Sequence, residues 1–158
     1  MEQMRGIFTI PSTPFDERGQ LDEEGLRRTV DFCIACGAHG IVSPVNASEF
    51  TRLTDEERLR VIRIVTEQTA GRVPVVAGVA GVCREHAVMF SRYAKSVGVD
   101  AVIAMPPYIN KISAERDLFL YYQGDRPGCP SSRLYPEPFS SCGYGALPLY
   151  PRSPCPRD

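Results

Sequence analysis

The sequence lacks the features that would assign it to a membrane, secreted or nucleic-acid-binding class. No apolar run approaches the roughly 18 residues that a membrane-spanning helix needs. Residues 1–5 are not followed by the apolar segment of a signal peptide. The formal net charge is −1, so neither sign is in sufficient excess to attract nucleic acid or an anionic membrane. We therefore expect a cytoplasmic protein that binds neither nucleic acid nor membrane.

Cysteine and histidine are spaced in ways that predict no metal site. Of the six cysteines, Cys33 and Cys36 lie one helical turn apart, with no second pair to complete a zinc site. The pattern around them instead predicts two small apolar residues near the inner face of a helix. His39 and His86 are the only histidines, and neither has ligand-type residues at suitable spacing. We expect both to be solvated.

What is present, up to Tyr122, is a regular alternation of short apolar strands and capped amphipathic helices. Asp22 is a predicted helix N-cap, and Thr54 with Glu57 forms the pattern of a capping box. A fourth helix is predicted to follow Ser113. Between the helices, apolar runs predict four strands, at residues 6–10, 40–43, 73–78 and 101–105.

Strand–helix units of about 30 residues with parallel strands leave two architectures, a doubly wound open sheet and a (β/α)₈ TIM barrel. No Gly-x-Gly-x-x-Gly motif and no P-loop follows the first strand, which argues against a nucleotide-binding open sheet. We therefore predict an α/β fold that is the first half of a TIM barrel, about four units long.

In either architecture the ligand lies at the carboxyl ends of the strands. There the sequence has small residues, which leave room, and hydroxyl and amide groups, which are neutral donors for a carboxylate or keto group. Taken alone, each of these residues is also compatible with an ordinary loop. The segments are residues 12–15, 43–49, 78–81 and 105–111.

In combination these segments resemble the dihydrodipicolinate synthase and N-acetylneuraminate lyase family, from Gly6 to about Tyr122. The resemblance is carried by Thr13-Pro14-Phe15-Asp16, Glu49, Leu53-Thr54, Glu57-Arg58, Val76-Ala77-Gly78, Pro107-Tyr108 and Asn110-Lys111.

The resemblance implies a TIM-barrel lyase, usually a homotetramer, that forms a Schiff base between a lysine and pyruvate or another 2-keto acid. It implies no metal and no organic cofactor. A desolvated lysine with a lowered pKa is the nucleophile in such chemistry, and the iminium that it forms is an electron sink. The substrate-binding residues that the resemblance predicts here are Thr13, Asn46, Ala47, Ser48, Glu49 and Tyr108.

Two departures from the family pattern change the expected reaction. The family's Gly-Thr-Thr-Gly-Glu loop falls on residues 45–49, where Asn46 and Ala47 replace the two threonines. Asn46 still has a donor for a carboxylate, whereas Ala47 can neither donate nor relay a proton. Ile109 replaces the second tyrosine of the pair that begins at Tyr108. These changes favour a divergent keto-acid aldolase or hydratase-aldolase. For Glu49 two roles remain open, a buried anchor for backbone amides or a surface group.

The expected Schiff-base lysine is missing, because the family carries it on a later strand. Lys95 is predicted in the last turn of a helix, and Lys111 matches the family's loop lysine. No residue of this chain is therefore predicted to be catalytic. We expect a lyase truncated before its nucleophile and inactive alone. The alternative is a non-catalytic fragment or gene remnant with no selected function.

Residues 123–158 do not continue the strand–helix pattern. They hold eight of the 14 prolines and three of the six cysteines. The 16 arginines against two lysines are typical of a GC-rich gene, and out-of-frame translation of such a gene yields this composition. We predict a partial barrel domain at residues 1–122. The tail at 123–158 is interpreted as an out-of-frame product or a disordered extension.

Overall fold

The computed structural model describes residues 4–107 together with Arg116, Leu118, Tyr121 and Tyr122, the last four of which are helical. The predicted cap Ser113 and the tail at 123–158 lie outside these residues. In chain order the elements are β1 (Phe8–Thr9), α1 (Glu23–Ala35), β2 (Gly40–Val42), α2 (Asp55–Thr69), β3 (Val75–Gly78), α3 (Arg84–Ser96) and β4 (Ala101–Ile103).

The four strands form one parallel sheet in the order β1-β2-β3-β4. Each strand therefore pairs with the next strand along the chain, and a helix crosses over between them. A doubly wound sheet would instead reverse its strand order at a switch point. The observed order is that of successive units of a barrel.

The helix starts follow the predicted caps. The Asp22 side chain accepts a hydrogen bond from the Gly25 amide at 2.8 Å. The Thr54 amide donates to Glu57 Oε2 at 2.8 Å, and the Glu57 amide donates to Thr54 Oγ1 at 3.2 Å, which completes the capping box. Helix α2 ends in two successive left-handed residues, Ala70 with a φ of 49° and Gly71 with a φ of 72°.

Apolar side chains pack in two clusters, one on each side of α2. The first cluster joins α1 and α2 to the sheet, and the second joins α2 and α3 to the sheet and to Tyr121 and Tyr122. The main members of the first are Leu26, Val30, Ile41, Val61 and Val65, and those of the second are Ile62, Ala77, Ala87, Phe90 and Tyr121.

The structure corrects two predictions about cysteine and histidine. Cys33 is buried as expected, and burial raises the pKa of its thiol, but Cys36 is exposed because it caps the helix end. His86 is not simply solvated, since its Nε2 lies 2.9 Å from Asp55 Oδ2 and its Nδ1 accepts from the Val82 amide. Within residues 4–107 and the four helical residues, no group of three His, Cys, Asp or Glu side chains could hold a metal ion.

None of the helices in this described part of the chain has the length and apolar character to cross a membrane.

Candidate functional site

The candidate site is built around the loop that follows β2. After Ser43 and Pro44 the chain makes a 3₁₀ turn at Asn46–Ser48, and a second one at Phe50–Arg52. Glu49 separates the two turns with a positive φ of 57°. A side chain at Gly78 would collide with the Pro44 carbonyl, so glycine at the end of β3 allows the two strand ends to approach closely.

Thr13 fixes this loop to the end of β1. Its Oγ1 donates a 2.7 Å hydrogen bond to the Ser48 carbonyl, and both residues are buried. A buried hydrogen bond of this length between residues 35 apart holds the two loops in a defined position. The observed contact therefore makes Thr13 an anchor of the loop, and its direct contact with substrate stays a prediction.

Asn46 and Ala47 are the exposed residues of the turn. The Asn46 side-chain amide lies 3.3 Å from Met105 Sδ, just beyond the end of β4. A thioether is a weak acceptor, so this contact leaves the amide available to a stronger one. The turn therefore presents a neutral donor beside an apolar residue at the carboxyl edge of the sheet.

Two buried hydroxyl groups flank the base of the loop. Ser48 has none of its surface exposed and Ser43 has 1%. Neither Oγ has a hydrogen-bond partner among the residues that the structure describes. Because a buried polar group without a partner is costly, these hydroxyls are the places where water or a ligand oxygen would be most favoured.

Glu49 is a surface group and does not anchor backbone amides beneath the loop. Its side chain is 58% exposed and its Oε2 lies 3.1 Å from Arg52 Nε, in an ion pair between residues three apart. The alternative of a buried anchor is therefore wrong.

The remaining predicted residues are not part of this geometry. Tyr108, Ile109 and Lys111 lie outside the described residues. Lys95 is exposed in the last turn of α3. Because α3 runs antiparallel to the strands, its last turn lies at the opposite end of the sheet from the strand carboxyl ends. The structure thus gives Lys95 no place in the candidate site.

The loop after β3 is held by a residue that the sequence interpretation did not assign to the site. Arg58 on α2 is buried, and its Nη2 donates a 2.7 Å hydrogen bond to the Ala80 carbonyl. The next residue, Gly81, donates through its amide to the Tyr121 hydroxyl at 3.2 Å. The sequence did contain an indication that Arg58 is buried, because it lies one helical turn before Val61 and Ile62, on the buried side of α2.

Comparisons with known proteins match the part of the chain that contains the strand–helix units. A sequence profile described as the Dihydrodipicolinate synthetase family matches residues 3–124. The chain is 40% identical over 119 residues to 4-hydroxy-tetrahydrodipicolinate synthase of Methylococcus capsulatus, which covers 75% of this chain and 40% of that protein. It is 45% identical over 111 residues to the enzyme of the same name from Pelobacter propionicus, covering 70% and 38%.

Solved structures agree. A crystal structure of dihydrodipicolinate synthase superposes with a TM-score of 0.73 at 34% identity, covering 77% of this chain and 41% of that one. N-acetylneuraminate lyase from Mycoplasma synoviae superposes with a TM-score of 0.74 at 27% identity, covering 78% and 43%.

The parallel sheet, its strand order and its crossover helices place the described residues in the (β/α)₈ barrel class, which confirms the predicted fold. Within that class, the chain belongs to the dihydrodipicolinate synthetase family. It spans about 40% of the length of the curated relatives that it matches.

Proposed function

We propose that this chain supplies the carboxylate-binding side of a Schiff-base lyase site for pyruvate or another 2-keto acid. The observation that supports the proposal is the loop at residues 45–49, which lies at the carboxyl end of β2 and is anchored through Thr13. By resemblance, the family holds the substrate carboxylate in this loop. We assign Asn46 as the donor, because its amide is exposed at the turn.

The proposed chemistry divides the work between this loop and a lysine supplied by a later strand. The amine attacks the keto carbon, the carbonyl oxygen leaves as water, and the resulting iminium accepts electrons from the breaking carbon–carbon bond. A fixed neutral donor on the carboxylate holds the keto carbon in line with the amine without neutralising the charge of the substrate. Asn46 serves this orienting role.

We propose further that the chain forms no imine alone. Its only lysines are Lys95 and Lys111, and neither matches the family's nucleophile. Completion of the site would require the later strands of the barrel. Assembly of a complete parent as a homotetramer follows from the resemblance and stays a proposal.

The reaction that we propose is that of a keto-acid aldolase or a hydratase-aldolase. The loop does not favour dihydrodipicolinate synthesis. Ala47 lacks the hydroxyl that the family uses in its proton relay, and its short side chain leaves room beside Asn46. We therefore expect 2-keto acids with a bulky substituent to bind as tightly as pyruvate. Competition between the two in a binding assay checks this, and much weaker binding of the bulky acid would contradict it.

The carboxylate-binding role is tested by titrating pyruvate into ¹⁵N-labelled protein. The proposal expects amide shifts at residues 45–49. In the Asn46→Asp variant, affinity should fall by about tenfold or more, because two carboxylates would face each other. Gln20→Glu is the matched control, since it makes the same amide-to-carboxylate change at an exposed position elsewhere. Unmoved amides at 45–49 at millimolar pyruvate would refute the role.

A further inference from the structure

The guanidinium of Arg58 lies between two aromatic rings. Its Cζ is 3.8 Å from the centroid of the Phe90 ring and 4.8 Å from that of Phe50. Only 2% of the Arg58 surface is exposed. Both distances are within the range in which a cation is attracted to an aromatic face, and the attraction is stronger where water is excluded.

The same guanidinium also reaches a backbone carbonyl. Arg58 Nη2 donates to the Ala80 oxygen at 2.7 Å, a length typical of a charge-assisted hydrogen bond. Ala80 belongs to the loop after β3, whereas Phe50 belongs to the second 3₁₀ turn after β2. One side chain on α2 therefore contacts both loops.

Each contact lies close to the candidate site. Phe50 follows Asn46 by four residues, and its amide donates to the Val45 carbonyl at the start of the turn. Ala80 follows Val79, whose amide donates to Ile103 at the end of β4. A change in the position of Arg58 would thus move the end of the β2 loop and the start of the β3 loop together.

Arginine suits this position for a physical reason. The guanidinium is planar, so it can stack on rings with its faces while its edge donates hydrogen bonds. Lysine has a point charge without a stacking face, and an apolar side chain could fill the space but could not hold Ala80. Burying a charge is costly, so a residue that only filled the core would be better replaced by an apolar one.

We propose that Arg58 is a positioning residue of the candidate site, which sets the separation of the loops at 45–53 and 79–81. This inference rests on the proposed function, because the loop at 45–49 is the one assigned to the substrate carboxylate. Thr13 fixes that loop from the β1 side, and Arg58 fixes it from the β3 side. Asn46 belongs to the same loop, two residues before Ser48 and four before Phe50.

The test compares hydrogen exchange and pyruvate binding in Arg58→Met and Arg58→Lys, with Arg63→Met as the control. Arg63 lies on the same helix but is exposed. Suitable probes are the amides of Glu49, Phe50, Val79 and Gly81, each of which makes a hydrogen bond in the wild type. We expect Arg58→Met to accelerate exchange in both loops by about tenfold or more, and to weaken pyruvate binding by a similar factor. Arg63→Met should change neither by more than about twofold.

The outcomes separate positioning from general stability. Faster exchange at both loops, with α1 amides unchanged, supports the proposal. Uniformly faster exchange throughout the chain, or a change in only one loop, overturns it. If Arg58→Met does not fold, the exchange pattern of Arg58→Lys decides by the same criteria. Lysine keeps the positive charge and loses only the planar face that stacks on the rings and the forked set of donors. If the wild type binds no pyruvate, the proposed function fails, while the exchange pattern still decides the role of Arg58.

Discussion

The two apolar clusters on either side of α2 are built from different side chains. The first is aliphatic at its centre, where Leu26, Val30 and Val65 are fully buried. The second contains the ring of Phe90 and the side chains of Tyr121 and Tyr122, and the Arg58 guanidinium packs against it. Apart from the Cys33 thiol, the buried side chains of the first cluster are hydrocarbon. In the second, hydroxyl and guanidinium groups reach the backbone of strand-end loops.

The difference teaches that holding the helices and placing the loops are separate tasks in this molecule. Aliphatic packing is strong but non-directional, so it fixes α1 and α2 against the sheet without specifying loop positions. Hydrogen bonds from buried polar groups are directional, so a few of them define where a loop lies. Stability and site geometry should therefore respond to different substitutions.

The largest expected effect on stability is that of Leu26→Ala in the first cluster. Removal of a fully buried leucine side chain leaves a cavity and should lower the free energy of unfolding by roughly 2–5 kcal/mol. Urea unfolding measures the change. Met89→Ala is the control, because Met89 is 40% exposed on α3 and its truncation should cost much less.

Leu26→Ala should also leave the amide resonances of residues 46–49 and 79–81 in place. Movement of those resonances as large as in Thr13→Val would contradict the separation of the two tasks.

Thr13→Val should have a smaller effect on stability but a larger one on the loop. The variant keeps the side-chain volume and leaves the buried Ser48 carbonyl without its 2.7 Å donor, a loss of about 1–3 kcal/mol. Backbone resonances at Asn46–Glu49 should move. Thr66→Val is matched, since Thr66 donates to the Ile62 carbonyl within α2 and supports no loop. Equal effects of the two variants on residues 46–49 would refute the anchor.

The capping box at the start of α2 makes a smaller, pH-dependent contribution to the free energy of unfolding. Hydrogen bonds from the Thr54 amide and hydroxyl hold the pKa of Glu57 below its usual value. Its contribution is therefore complete above the pKa of an unfolded glutamate, about 4.3, and is lost as pH falls through the lower folded pKa. Glu57→Gln should unfold more easily at pH 7 by about 1 kcal/mol.

The difference in unfolding free energy between wild type and Glu57→Gln should narrow progressively as the pH falls, as measured by urea titrations from pH 7 to pH 3. Glu56→Gln is the matched control, because it makes the same change at an exposed position of the same turn that takes no part in the capping box. A difference in unfolding free energy that did not narrow at all between pH 7 and pH 3 would mean that the carboxylate is not the stabilising form.

The smallest effect is expected from Asp31→Asn, on the surface over the first cluster. Asp31 accepts hydrogen bonds from Arg72 and Gln68, and the bond from Arg72 holds the pKa of the carboxyl below its usual value. Both ionic partners are nearly half exposed, so solvent screens the pair. The urea midpoint should shift little, and less at high salt than at low salt. A large shift independent of salt would show that the surface pair holds α1 to α2.

Much of the fold could be predicted because its determinants are local. The caps at Asp22 and Thr54 satisfy amides within a few residues, and the apolar period reports the buried face of each helix. The left-handed conformation of Ala70, directly before the left-handed Gly71, has no signal in the sequence, because alanine rarely adopts a positive φ.

The site was less predictable because its contacts join distant residues. The Thr13–Ser48 bond spans 35 positions, the Arg58–Ala80 bond spans 22, and the His86–Asp55 pair spans 31. No pattern in the sequence specifies such pairs. Glu49 was left between two roles for the same reason, since the exposure of its side chain depends on how the loop is packed in the folded chain.

The central proposal is that this chain carries the carboxylate-binding loop of a keto-acid lyase and no Schiff-base lysine. Reduction with borohydride in the presence of pyruvate, followed by intact-mass analysis, tests it most directly, with a complete family enzyme as the positive control. We predict that the control gains a reduced pyruvate adduct and that this chain does not. A stoichiometric adduct on Lys111 or Lys95 would contradict the account.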